Sequence, residues 1–283
     1  MHRALLWSLR AAWVATPVVV GPALAAALDD ASRPVQLTAA IGAWAGWAAG
    51  LLCALVPTPL SLTGLRTLAP AAPVVAGAAF VDQPGLGAGI GLAVTTFAAA
   101  LAFTAEVGQR FVQGGAYGDE RRFLLRPPGP LVLGPLEVLW LATVGGLAAG
   151  ALLLAAESWV VGGVVVAAAA ALAVPVLRRF HGLSRRWLVI VPAGLVLHDD
   201  LLLADTVLVR RAQLVQAELA LADSAALDLT GAALGMAVEL RFTAPQTLVV
   251  AGTSRSRTGR AVHASAVLVS PSRPGAALAA IAR

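Results

Sequence analysis

The chain has 283 residues, of which 59% are hydrophobic, 12% charged and 5% aromatic, with a mean hydropathy of +0.83 and a formal net charge of +5. A soluble domain carries about 25% charged residues, and half that share cannot cover a folded sphere with solvated groups. An ordinary cytosolic enzyme, a disordered chain and a disulfide scaffold (Cys53 is the only cysteine) are excluded, which leaves an integral membrane protein.

All 20 basic residues are arginine and asparagine is absent. Codon bias in a high-GC bacterial genome accounts for this, so arginine usage by itself does not signify phosphate recognition. With roughly 20 apolar residues needed per bilayer crossing, six transmembrane helices are predicted, over 11–28, 38–56, 65–81, 85–104, 131–156 and 159–177. The first has a rival reading as a cleaved signal peptide, with small residues at Ala25 to Ala27. The third holds Arg66, Pro70 and Pro73, and a kink is expected there.

Gly42, Gly46 and Gly50 recur four apart in the second span, as do Gly85/Gly89, Gly87/Gly91 and Gly146/Gly150 in later ones. Such spacing lets helix backbones approach, and packing within the chain is expected, with a homo-oligomer interface as the alternative. Trp7, Trp159 and Trp187 lie near expected membrane boundaries, whereas Trp44, Trp47 and Trp140 lie deeper and read as packing residues. Glu137 is the one ionisable residue well inside a span. It reads either as an ion or proton site or as an interfacial carboxylate paired with Arg126 or Arg110.

Orientation follows from the arginines. Arg3 and Arg10, Arg66, then Arg110, Arg121, Arg122 and Arg126, then Arg178, Arg179, Arg185 and Arg186 all fall on one side of the six crossings. The opposite loops hold Asp29, Asp30, Arg33, Asp82 and Glu157. Both termini are therefore expected in the cytoplasm, and the location in the bacterial cell (inner) membrane. The 105–130 connector, with Tyr117 and the run Arg126-Pro127-Pro128-Gly129-Pro130, reads as an extended cytoplasmic loop.

After residue 177 the texture changes. The division expected is a six-helix transmembrane domain over 1–177 and a cytoplasmic β-rich domain over 178–283. Residues 187–191 and 195–198 flank Pro192-Ala193-Gly194 as a hairpin, and 206–210 is a third strand. Alternation marks 236–243, a turn is expected at Pro245-Gln246, and strands follow at 248–251 and 261–269. The 219–234 stretch is Ala-rich and reads as a candidate helix. A last helix over 274–281 has Ser272 as its expected N-cap.

The run Arg186-Trp187-Leu188-Val189-Ile190-Val191-Pro192-Ala193-Gly194-Leu195-Val196-Leu197-His198-Asp199 places an opening strand, a glycine turn and a second strand before an acidic turn. Together with 203–211 and Ser270-Pro271-Ser272-Arg273-Pro274-Gly275 before a short helix, it resembles the bacterial PH-like domains attached to multi-spanning membrane proteins. The helical part resembles Ala-rich multi-pass membrane proteins of high-GC Gram-positive bacteria, a resemblance that implies no activity.

Function is expected on the cytoplasmic side. Residues 1–177 hold 8 arginines and 8 acidic groups and 178–283 hold 12 and 7, so the whole net charge lies in the second part. Arg178, Arg179, Arg185 and Arg186 are expected at the membrane surface, and Arg255, Arg257 and Arg260, among glycines and hydroxyls, are the candidate anion or headgroup site. His198-Asp199-Asp200 reads as a turn, and no metal site, cofactor, catalytic residue or nucleic-acid partner is expected. The reading is a membrane-anchored domain that binds a protein partner or anionic lipid. The alternatives are a transporter or permease component, and an enzyme acting on lipid-linked substrates.

Overall fold

The computed structural model describes residues 2–251 and 259–283. In chain order the helices before the first strand are α1 (His2–Ala27), α2 (Arg33–Leu55), α3 (Pro59–Leu68), α4 (Ala71–Asp82), α5 (Leu86–Ala102) and α6 (Ala105–Gln113). Strand β1 (Arg121–Leu124) precedes α7 (Gly129–Val132), α8 (Pro135–Trp140), α9 (Gly146–Ala155) and α10 (Trp159–Ser184). Then come β2 (Trp187–Val191), β3 (Gly194–His198), β4 (Val207–Arg210), β5 (Leu214–Leu219), β6 (Leu227–Asp228), β7 (Val238–Val250), β8 (Arg260–Val269) and α11 (Pro274–Ile281). The chain forms two compact units: residues through Gly108 with Glu137–Phe180, and Gln109–Leu136 with His181–Arg283.

Among the described residues, five helical stretches are long and apolar enough to cross a membrane: Ala4–Ala27, Arg33–Leu55, Pro59–Asp82, Pro135–Ala155 and Trp159–Ser184. A sixth results if α5 and α6, bent by 54° at residues 103–104, count as one span. Their outward side chains, among them Val18, Val81, Leu86 and Val160, are exposed and apolar, as lipid solvation requires. The chain is thus a multi-pass membrane protein by the length and composition of its helices.

The third span begins earlier than its hydropathy suggests. Thr58 accepts the Ser61 N–H and Pro59 occupies the first helical turn, a strong start signal ahead of a polar stretch. The expected break falls at Ala69–Pro70, between α3 and α4. The fifth span starts at Pro135 and not at 131, because Gly134 takes φ +129° and separates it from the turn at α7. Between α8 and α9, Leu141–Gly145 widens into a π-helical turn.

Close approach is carried by some of the glycines and not by others. Trp13 and Trp47 each donate their indole N–H to the other's carbonyl, both at 2.9 Å. That embrace needs Gly50, where a Cβ would stand 2.2 Å from the Trp13 ring. At Gly91 a Cβ would meet the Val19 carbonyl, and at Gly150 the Val166 side chain and backbone, so these glycines pack within the chain as expected. Gly42, Gly46, Gly85 and Gly87 face open space.

Among the described residues the second unit has two four-stranded sheets, ordered β1-β2-β3-β4 and β5-β7-β8-β6. All neighbours are antiparallel except β6 and β8. The expected hairpin is present, with Gly194 at φ +151° and a Cβ there only 2.1 Å from the Val209 carbonyl. Phe123, Leu188, Ile190, Leu197 and Val209 from the first sheet share one core with Val238, Leu240, Leu248 and Val267 from the second and with Ala277 and Ile281 of α11.

Several local expectations are corrected. The 236–243 and 248–251 strands are one long strand, β7, and Pro245 sits in a bulge where its register against β8 shifts, a place where no N–H is owed to the ladder. The 219–234 stretch contains no helix; positive φ at Gly231 and Ala232, and at Gly235 just beyond, turns the backbone repeatedly. Helix α11 is capped by Arg273 without a side-chain bond; Ser272 lies one residue earlier, where its N–H donates to the Leu124 carbonyl and its buried hydroxyl makes no hydrogen bond among the described residues. Strand β1 lies in the segment read as a connector, so the β unit is interrupted by the fifth and sixth spans.

Candidate functional site

The β2–β3 hairpin opens two residues after α10 and positions most of the charged groups of interest. Arg186, the residue before β2, is completely buried. Its Nε donates to Asp199 Oδ2 at 2.9 Å and its Nη2 lies 2.8 Å from the same oxygen. Its Nη1 donates to the Arg126 carbonyl at 2.6 Å. Asp199 Oδ1 accepts the N–H groups of Leu201 and Leu202, so the carboxylate is satisfied on both oxygens. Arg186 Nη2, although close to Asp199, makes no hydrogen bond of proper geometry, so the pair is buried with its carboxylate satisfied and its guanidinium satisfied only in part. Arg186 is thus buried between the Asp199 turn and residue 126, unlike the exposed arginines of its run.

Its neighbours differ. Arg178 and Arg179 are exposed on α10 and form no ion pair among the described residues. Arg185 pairs with Asp200 at 3.3 Å, both partly exposed. Arg260 is exposed at the start of β8, while Arg255 and Arg257 lie outside the described residues. The segment that leads to them is held at its start: Ala251 N–H donates to Leu202 O, Ala204 N–H donates to Val249 O, and Leu203 bridges Val250.

On the outer face of the first sheet Trp187 is sandwiched. His198, its cross-strand partner, stacks on it at 5.1 Å and 21°, and the Arg122 guanidinium lies 5.1 Å from its ring centre. Arg122 is fixed by Glu120, whose Oε2 accepts from Nη2 at 2.9 Å and from Nε at 3.1 Å. That bond, helped by the Tyr117 N–H, holds the Glu120 carboxyl below its usual range. The imidazole Nδ1 of His198 lies 2.8 Å from Thr206 Oγ1, and Nε2 faces both Asp200 at 3.2 Å and Arg185 at 3.3 Å. Burial pushes the His198 pKa down; Asp200 opposes this and Arg185 adds to it. Among the described residues no three His, Cys, Asp or Glu side chains converge as metal ligands.

A pair of residues absent from the sequence reading organises the edge of this sheet. Gln113 Nε2 donates to Glu120 O and its Oε1 accepts the Arg122 N–H. Gln109 Nε2 donates to Arg122 O and its Oε1 accepts the Leu124 N–H. Two amides four residues apart on a helix rise about 6 Å, close to the roughly 6.7 Å between alternate residues of a strand. The glutamines thus take the place of a neighbouring strand along β1. The available signal was their i, i+4 spacing on an amphipathic helix.

In the helical unit two arginines cap carbonyl ends. Arg10 donates to the carbonyls of Ala54 and Leu55 at the end of α2, and Arg66 Nε donates to Ala102 O at the end of α5. Cations at helix C-termini oppose the negative end of the dipole. Glu137 is exposed in the first turn of α8, four residues before the π-helical turn. Trp140 donates its indole N–H to Thr67 O at 2.7 Å, the packing role expected of it. Comparison with protein-family models, with curated proteins and with solved structures finds no match.

Proposed function

We propose that the chain is a membrane-anchored binding module, in which the spans hold a cytoplasmic, PH-like β unit and its uncommitted arginines bind anionic lipid headgroups. Support for the PH-like layout comes from sequential antiparallel β1–β4, a second sheet built on β5, β7 and β8, and a closing C-terminal helix against β5. The short parallel strand β6 departs from that layout.

The observation that carries the headgroup reading is how the arginines are spent. Arg122, Arg186 and Arg241 are locked to Glu120, Asp199 and Glu239. Arg178, Arg179 and Arg260 are exposed and make no ion pair among the described residues. Cations left free at a membrane-anchored unit attract anionic lipid by about 1 kcal/mol each near the surface. Arg255 and Arg257 extend the set in the sequence next to Arg260.

The test uses the full chain in neutral detergent and titrates short-chain phosphatidylglycerol against phosphatidylcholine. Arg255→Ala, Arg257→Ala and Arg260→Ala combined should weaken phosphatidylglycerol binding on the order of a hundredfold, from about 3 kcal/mol in all. Added salt should weaken it in the parent chain. Affinity indifferent to both the substitutions and the salt overturns the reading.

A further inference from the structure

The loop before β7 exposes large apolar side chains while its backbone is pinned to a cation. Leu234 and Met236 are 68% and 62% exposed. The carbonyls of both accept from the Arg126 guanidinium, Leu234 O at 2.7 Å from Nη1 and Met236 O from Nη2. Between them Gly235 takes φ +95°, and a Cβ there would collide with Arg126 Nη1, so only glycine lets the loop wrap the cation this closely. Arg126 is itself fixed from behind: its N–H donates to Ser270 O and its carbonyl accepts from the buried Arg186. The result is a rigid projection whose polar groups turn inward and whose apolar side chains turn out.

The same loop is tied to the segment that becomes the fifth span. Gly129 N–H donates to Gly231 O at 3.2 Å, and Gly129 lies so close to Ala232 that a Cβ would meet its carbonyl. From Gly129 the chain reaches Pro135, the first residue of the candidate span, in six residues, a reach of at most about 20 Å. Leu133, on that path, is 74% exposed. An apolar projection in water would be a liability, whereas one tethered within six residues of the first residue of a candidate span can reach the boundary between headgroups and acyl chains.

We infer that Leu234 and Met236, held out by Arg126 and Gly235, insert as a wedge into the bilayer interface. The partner is the lipid surface itself, and the wedge orients the β unit by contact additional to its covalent links. This rests on the helices crossing a membrane and is independent of the headgroup reading.

The test uses the full chain with Cys53→Ala and Leu234→Cys, labelled with an environment-sensitive fluorophore and reconstituted in phosphatidylcholine and phosphatidylglycerol vesicles. Val215→Cys on β5, also exposed, is the reference, and Met236→Cys repeats the measurement at a second wedge position. A label at 234 or 236 should be quenched at least threefold more by acyl-chain nitroxide lipid than one at 215, and be less open to iodide. The same difference should persist when Arg255, Arg257 and Arg260 are all changed to alanine, which separates the wedge from the headgroup site. Labels at 234 and 236 as open to iodide as at 215 overturn the inference. So do labels shielded from both quenchers, which would mean that protein covers the loop.

Discussion

His198 is a residue whose protonation the structure opposes. Burial disfavours its charged form, and Arg185, with Nη2 3.3 Å from Nε2, and Arg122 add to this, against the attraction of Asp200 at 3.2 Å and of Asp199. A histidine pKa lowered by folding means that the unfolded chain binds the extra proton first. The stability that His198 contributes is therefore present above the unfolded value of about 6.5 and is lost as pH falls from there through the lower folded value. Thermal unfolding in detergent should show a lower midpoint at pH 5.5 than at pH 7.5, and His198→Gln should flatten that difference. A midpoint equally pH-dependent in the variant would assign the effect elsewhere. The neighbouring Arg186 carries a lesson about charge clusters: Arg178, Arg179, Arg185 and Arg186 look alike in sequence, yet the last is buried because Asp199 lies thirteen residues on, across a hairpin. Run composition does not encode that pairing.

At the scale of elements, β1 is held on one edge by β2 and on the other by Gln109 and Gln113. Antiparallel pairing turns alternate N–H groups to opposite edges, so the Arg122 and Leu124 amides depend on the glutamines while Phe123 belongs to β2. Each amide makes two bonds worth about 1 kcal/mol apiece, so Gln109→Leu with Gln113→Leu should lower local stability by roughly 2–4 kcal/mol. Hydrogen exchange should accelerate on the order of a hundredfold at Arg122 and Leu124 and much less within β2 and β3; uniform acceleration, or none, would count against the edge role. The β2–β3 hairpin and α11 were legible because alternation, a glycine turn and an N-terminal proline act locally. Strand β1 was not, since Arg121-Arg122-Phe123-Leu124 has no alternation of its own and is a strand only by its partners. The Pro245 bulge was read as a turn for the converse reason: proline signals a break in hydrogen bonding, and a bulge satisfies that signal without reversing the chain.

For the whole molecule, the helical part was written plainly in hydropathy, whereas the limits of the β unit were not, because two spans separate its first strand from its second. A fragment covering 178–283 would leave the β2 edge unpaired along Trp187 to Ile190 and would lack Arg126, which anchors the 234–236 loop. Such a fragment should aggregate or exchange its sheet amides rapidly. Joining 109–134 to 181–283 through a short flexible linker should restore a monomer with protected β2 amides. Equal behaviour of the two fragments, measured by light scattering and amide exchange, would show that β1 is dispensable to the unit. The candidate site divides in the same way. Its exposed arginines were visible as charge, while the Trp187 sandwich and the Arg126-held loop depend on residues from both sides of the inserted spans.

That interruption has a consequence in time. Translation at about 5–20 residues per second leaves Leu124 waiting roughly 3–13 s before Trp187 is made. During that interval the fifth and sixth spans must enter the bilayer while β1 has no sheet to join. Gln109 and Gln113 are already synthesised, on the helix just before it, and their amides can occupy one edge of the strand from the outset. The glutamine pair thus covers one edge of β1 from the outset, while the other edge, the one that β2 takes, stays open until Trp187 to Ile190 has been made.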